Sequence, residues 1–290
     1  MQGEHHRRLH RVPGLGLTLD VHSRNELCFV SLVTTESSLF LVHEGEMKVE
    51  TGDITLVACQ GEFLLLQSGE ALKITHLPSD NGHHQAKGLL LDRTLVAEAI
   101  PSPEMCFSAP ALLLGKRDGH FLDGFSSAYN ALQETDRLPP SIVAHRLREP
   151  LMWLGLESVF FRPAENLSLS SRLRDLLSTS PGDVWPEKNA AKALGRSPAT
   201  LRRHLAMEAT SFRKILAETR MLHALRLLHS TDEPIGSIAR SSGYSCQSRF
   251  ALCFRKRFGF HPSVIRGHRR ESVSVPETMT QGEHTGAVTE

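Results

Sequence analysis

One short pattern occurs twice towards the end of this chain, and it restricts that region to two helix pairs joined by tight bends. The first copy runs from Ala190 through Gly195 and Ser197 into Pro198-Ala199-Thr200-Leu201-Arg202-Arg203-His204-Leu205. The second runs from Ile238 through Gly243 and Ser245 into Cys246-Gln247-Ser248-Arg249-Phe250-Ala251-Leu252-Cys253-Phe254. In each, an alanine (Ala191, Ala239) is followed four residues on by glycine, and two later by serine. A small side chain lets two helices approach closely, glycine adopts the positive φ of a sharp turn, and serine can cap the next helix. Two such units in tandem predict paired helix-turn-helix elements, each with a second helix able to enter a DNA major groove.

Charge supports that expectation once it is divided along the chain. The net formal charge is +1, yet residues 169–270 carry 19 Lys and Arg against 7 Asp and Glu, and the rest carries 14 against 25. A basic nucleic-acid module tethered to a mildly acidic one explains the asymmetry. The cysteines (28, 59, 106, 246, 253) are scattered without a metal or redox spacing. Neither an apolar leader at the start nor a membrane-spanning run is found. The expected compartment is therefore the cytoplasm.

With 290 residues there is room for two domains. Residues 1–12 are polar and basic, an expected flexible arm. Over 13–105, Gly45, Gly52, Gly61 and Gly69 punctuate apolar runs at Ser38–Val42, Met47–Glu50, Ile54–Ala58, Phe63–Gln67 and Leu72–Leu77. Regular strand-turn spacing of this kind predicts a β-sandwich or small barrel. Residues 106–162 are expected to be helical. Phe121, Phe125, Tyr129 and Leu132 form one apolar stripe, Leu138-Pro139-Pro140 ends that helix, and a second helix covers Leu151–Phe161 with Pro150 in its first turn. A polar, proline-bearing linker is expected at 163–168 and a disordered tail at 271–290.

In the basic half, helices are expected at Leu169–Ser178, then one with Pro186 just inside its start, and from about Ser211 to His229. The last is long enough to be a rod joining the two units, about 27 Å. Leu201, Leu205, Tyr244, Phe250, Phe254 and Phe258 fall at helical spacing and are assigned to the core.

The segment Arg220-Met221-Leu222-His223-Ala224-Leu225, with Pro234-Ile235-Gly236-Ser237-Ile238-Ala239, Gly243-Tyr244-Ser245, Phe250, Phe254-Arg255-Lys256-Arg257-Phe258-Gly259 and Pro262, resembles the signature of AraC/XylS transcription regulators. The resemblance covers about 169–268. It implies an α+β chain of two domains, with a cupin-like β-barrel and following helices in front and an all-α double helix-turn-helix domain behind. It further implies double-stranded DNA as partner at two adjacent major-groove segments, contact with RNA polymerase, a possible small-molecule effector and a homodimer through 106–162. More often than not such regulators are activators. Carried over by position, Ala199, Arg202, Arg203, Gln247, Ser248, Arg249 and Leu252 face bases, and Ser197, Thr200, Ser245, Arg255 and Lys256 face phosphates. The chemistry fits independently, since Arg can clamp guanine and Gln adenine. Leu252 departs from the polar residue frequent at its site, and His261 stands where threonine is usual before the proline.

Other chemistry fares worse. His43, His76, His83 and His84 lack metal-motif spacing, so surface or core histidines are expected and no metal or other cofactor. No phosphate loop or nucleophilic triad stands out, and an enzyme is not expected. The rival is a DNA repair enzyme of the alkyl-transfer type that borrows such a module, which requires an activated cysteine near the front. Another alternative is control by a protein partner instead of a small molecule. Oxidation of Cys246, beside the expected DNA face, offers a way to block binding.

Overall fold

The computed structural model describes residues 11–33, 35–99, 109–162 and 168–265. The expected tail at 271–290, most of the arm and of the linker, and Cys106 lie outside the described residues. The front half folds as β1 (Gly16–Ser23), β2 (Leu27–Val33), β3 (Ser37–Glu44), β4 (Glu46–Thr51), β5 (Ile54–Ala58), β6 (Glu62–Leu66), β7 (Ala71–Leu77), β8 (His84–Leu91), a short α1 (Arg93–Glu98) and β9 (Ala111–Lys116). Two antiparallel sheets result, ordered β1-β8-β3-β6-β9 and β2-β7-β4-β5. The four punctuating glycines sit between successive strands from β3 to β7, as their spacing suggests.

Alternation of side chains assigns the two faces of the five-stranded sheet. Leu17, Val21, Phe40, Val42, Leu64, Leu66 and Leu90 point between the sheets, where they meet Met47, Val49, Leu72 and Ile74. The other face carries Leu39, Leu41, Phe63, Leu65 and Leu89 and is covered by α2 (Gly119–Gln133) and α3 (Pro140–Leu156). The predicted stripe is its seam: Phe121, Phe125, Tyr129 and Leu132 are all buried, and Phe63 meets the rings of Phe121 and Phe125 edge-on at 5.0 and 5.2 Å.

Three expectations for this half are corrected. Residues 111–116, placed in the helical region, form β9 beside β6, because Ala111-Leu112-Leu113-Leu114 is a short uninterrupted apolar run that period alone does not classify. The second helix begins at Pro140, not Leu151. Pro139 and Pro140 start it as N-cap and first residue, and Pro150 sits in its interior. There the proline denies the Arg146 carbonyl its usual amide partner. The arm is also anchored at its end, since Val12 bridges to Gly16 and Arg11 approaches Glu36 at 3.5 Å.

The back half comprises α4 (Leu169–Ser178), α5 (Glu187–Ala193), α6 (Pro198–Met207), α7 (Phe212–Ser230), α8 (Ile235–Ser241) and α9 (Gln247–Phe258). Its two units have separate cores. Leu169, Leu173 and Leu177 pack on Ala190, Ala191, Leu201, Leu205, Phe212 and Ile215. The second core joins Met221, Ala224, Leu225, Leu228, Ile238, Phe250, Phe254 and Phe258 to Leu27 and Phe29 of β2. The barrel is thus part of the second unit's interior, with Phe29 edge-on to Phe258 and Phe260 at 5.7 and 5.6 Å.

The charged groups and two of the histidines caught at this junction find partners. Arg226 of α7 holds Glu36 through both guanidinium nitrogens, one of them at 3.2 Å, with the two side chains 8% and 3% exposed. Burial alone raises a carboxyl pKa, but Arg226 and then Arg11 overcome it and hold Glu36 below the usual carboxylate range. Nearby, His76 Nδ1 and His84 Nε2 stand 2.9 Å apart, one the donor and one the acceptor. Burial, reinforced by His84 and His229, keeps His76 well below the usual imidazole range. For His84, burial and His22 bring the value to about 4.

Because removal of one member of a buried ion pair leaves the other uncompensated, Glu36→Ala should cost roughly 3–5 kcal/mol of stability. Urea unfolding of the full chain measures it. A loss below about 1 kcal/mol would show that the pair is solvated.

Candidate nucleic-acid interface

Each unit is built by the same hydrogen bonds. Helix α5 ends with Gly195 N–H donating to Lys192 O at 3.0 Å and Arg196 N–H to Ala191 O at 2.9 Å. Helix α8 ends identically, with Gly243 N–H to Arg240 O at 2.9 Å and Tyr244 N–H to Ala239 O at 2.9 Å. These bonds close a left-handed helix end, and Gly195 and Gly243 take φ of +67° and +79°. Ala191 and Ala239 are fully buried beneath the following helix, where a larger side chain would part the pair.

The caps of the second helices differ. Ser197 accepts the Thr200 amide at 3.1 Å, as expected, and exchanges a hydroxyl bond with Thr200 at 2.9 Å. Ser245, expected to cap α9, stands one residue too early. The cap position is Cys246, whose side chain makes no cap bond. Its thiol pKa is nonetheless lowered, first by the Arg249 amide and then by that of Ser248.

Helical geometry then sets what faces outward. In α6, Leu201 and Leu205 are buried, which leaves Ala199, Arg202 and Arg203 exposed on the far side. Arg202 bonds Glu187 of α5 at 2.9 Å, so Arg203 is the less encumbered of the two cations. In α9, Phe250, Phe254 and Phe258 are buried, while Ser248, Arg249, Leu252, Arg255 and Lys256 are exposed. Leu252 is 66% exposed at the middle of that face, an apolar tip suited to a thymine methyl. Gln247 is exposed too, but its Oε1 lies where a side chain on Gly236 would go, so it rests over the start of α8. Ser197 and Ser245 are exposed at the entrances to α6 and α9, and Thr200 is half-buried.

Charge follows the same plan. Neither α6 nor α9 has an acidic residue in its first turn, so the positive end of each helix is open to an anion. The last turn of α9 holds Arg255, Lys256 and Arg257. Arg257 turns inward and donates to Val30 O of β2 at 2.6 Å, and only its two neighbours point to solvent. Further exposed cations absent from the sequence expectation are Arg196, in the turn before α6, and Arg213 and Lys214, at the start of α7. Their signal was local charge beside an N-terminus.

Supporting contacts hold the units in place. Glu208, just past α6, accepts the amides of Leu169 and Ser170 at 3.0 and 2.9 Å, which ties α6 to the start of α4. Arg220 of α7 donates to Pro181 O at 3.0 Å and Asp183 O at 2.9 Å, passing directly under the α8 turn. An added Cβ on Gly243 would lie 2.6 Å from its guanidinium carbon.

Among the described residues, other candidate chemistry finds no geometry. The rival enzyme needs an activated thiol, yet the exposed Cys59 is shifted the other way, by partial desolvation first and then by Glu46 and Glu62. Cys28 is half-buried on β2. Among the described residues, no group of three or more His, Cys, Asp or Glu could hold a metal ion, and no helix is long and apolar enough to cross a membrane.

Residues 190–268 match the family described as "Helix-turn-helix domain". The chain is 34% identical over 99 residues to the HTH-type transcriptional regulator YdeO of Escherichia coli strain K12, covering 34% of this chain and 39% of that protein. It is also 34% identical over 97 residues to a urease operon transcriptional activator of Escherichia coli, covering 33% of each. The match therefore spans well under half the length of these curated relatives. In three dimensions the chain resembles unsaturated-fatty-acid-bound ToxT from Vibrio cholerae strain SCE256, with a TM-score of 0.60 over 86% of this chain and 92% of that one, at 12% identity. That likeness is one of fold: a cupin-like β domain followed by a helical helix-turn-helix domain.

Both turn glycines should resist substitution, but unequally. Gly195→Ala should cost about 1–2 kcal/mol for the left-handed backbone alone, since nothing lies within 4 Å of its added Cβ. Gly243→Ala should cost more, because Arg220 must also move. Paired urea titrations check the order, and equal losses would refute the Arg220 contact.

Proposed function

We propose that this chain, which carries an AraC-type helix-turn-helix domain, is a sequence-specific DNA-binding transcription regulator. The observation that carries the reading is the repetition of one turn geometry in two units, each presenting a cationic, acid-free helix to solvent. A single unit of this kind serves many purposes. Two, joined by the 19-residue α7, suit consecutive major-groove segments about 34 Å apart.

In this reading Arg203 and Arg249 are the principal base readers, Ala199, Ser248 and Leu252 fill in the base contacts, and Arg202 and Gln247 join after releasing Glu187 and the α8 surface. Ser197, Thr200, Ser245, Arg255 and Lys256 position the phosphates. The activator named among the relatives favours activation, with RNA polymerase as the protein it engages. The cupin-like domain serves as the sensor, in keeping with a fold neighbour that is bound to an unsaturated fatty acid. Helices α2 and α3 serve as the homodimer surface, where Met152 and Leu156 are 70% and 78% exposed. The protein acts in the cytoplasm and not as an enzyme.

Binding assays on a selected operator and on random DNA separate the assigned roles. Arg203→Ala should lose about 1–3 kcal/mol on the operator and relax preference at one base pair. Lys256→Ala should weaken both duplexes alike and lower the slope of log K against log salt by about one. Equal loss on both duplexes for Arg203→Ala would remove it from the base readers.

A further inference from the structure

Among the described residues the two helix-turn-helix units share no buried core residue, and α7 runs from one interior into the other. Ile215 belongs to the first core and Met221 to the second. Long helices are rarely straight and curve under load from their surroundings, so a rod of 19 residues by itself sets only a loose angle between its ends. A further contact crosses the same joint. The loop 179–186, which follows α4, is tied to the first unit by Trp185, which packs against that core while its indole N–H donates to Ser180 O at 2.9 Å.

Gly182 in that loop meets the end of α8, in the second unit, so closely that an added Cβ would lie 2.5 Å from Ser241 O. Its φ is not left-handed, so its backbone would accept alanine and only this approach demands glycine. Half-buried Arg220, on α7 just before Met221, holds the contact from below. Its Nε donates to Pro181 O at 3.0 Å and its Nη2 to Asp183 O at 2.9 Å, on either side of Gly182. The same guanidinium lies under Gly243, and the next residue, Tyr244, packs on Phe250 of α9 with ring centres 5.6 Å apart. One cation thus touches both the loop that leads into α5 and α6 and the turn that leads into α9. Lysine would keep the charge but not the planar fork that reaches two carbonyls at once.

We propose that Arg220 is a positioning residue which, with the close approach of Gly182 to Ser241, fixes the interval between α6 and α9, so that the protein selects operators by the spacing of their two halves. The proposal rests on the regulator reading above and adds spacing to base identity as a property that is read. One base pair inserted between the halves moves them apart by about 3.4 Å and rotates them by roughly 35°. A stiff joint refuses that change, and a loosened one tolerates it. Arg220 and Gly182 are not among the residues assigned to bases or phosphates, so both act through where they place α6 and α9.

Binding of the full chain to its selected operator, and to versions with one base pair inserted or removed between the halves, tests the proposal. The wild type should prefer its own spacing by about tenfold or more, the worth of one lost bidentate base contact. Gly182→Ala and Arg220→Lys should each reduce that preference severalfold or move the preferred spacing by one base pair. Lys256→Ala, which removes an exposed cation in the last turn of α9, should weaken all three duplexes alike. A merely structural role for Arg220 predicts that same uniform loss. Unfolding midpoints are measured on the same samples. Where Gly182→Ala does not fold, Arg220→Lys carries the test, since it adds no bulk at the contact. Uniform loss or no change in Arg220→Lys overturns the proposal. If the wild type reads its operator without regard to spacing, only the joint falls; if it shows no sequence preference, the regulator reading falls.

Discussion

The second half of α7 is buried on every side, and the molecule is arranged to meet that condition. From Ala224 to Thr231 no residue is more than 8% exposed. A helix enclosed all round normally carries apolar residues throughout, yet this stretch includes Arg226, His229, Ser230 and Thr231. Thr231 satisfies itself by donating to Leu227 O at 2.8 Å. Arg226 has no such local recourse and depends on Glu36, 190 residues away in sequence. The reading domain therefore completes its interior only with the barrel in place.

That dependence is unequal between the two units. Among the described residues the core around α4 to α6 contains no barrel residue, and an ion pair from Arg93 of α1 to Asp175 is one of its links to the front half. The core around α8 and α9 includes Leu27 and Phe29, and the last turn of α9 is pinned through Arg257 to Val30. In the regulator reading, a change in the barrel reaches the second recognition helix directly and the first by way of α7 or α4. Such asymmetry suits a protein whose two grooves need not be engaged with equal strength.

How much of this was readable from the chain depends on the distance over which each signal acts. The helix-turn-helix units were legible because alanine, glycine and the helical apolar spacing are local, and α4 and α7 fall where those patterns place them. Strand β9 was misplaced because Ala111-Leu112-Leu113-Leu114 has no period to classify it. Pro150 misled because a proline was expected at a helix start, whereas tertiary packing by Leu147, Leu151 and Leu154 carries α3 through it. Ser245 misled by one residue, the usual error at a helix end. The Glu36–Arg226 pair and the His76–His84 contact were illegible, since neither has a sequence pattern and both arise only when distant strands and helices meet. The bond from half-buried Arg257 to Val30 was hidden for the same reason, within a run of three cations of which two do face outward.

In the regulator reading α6 and α9 enter consecutive turns of one duplex. Methylation interference on a site selected from a random library tests it most directly. Two clusters of interfering guanines about one helical turn apart on the same face are predicted, the nearer to α6 lost in Arg203→Ala. A single cluster, unchanged by that substitution, would contradict the account.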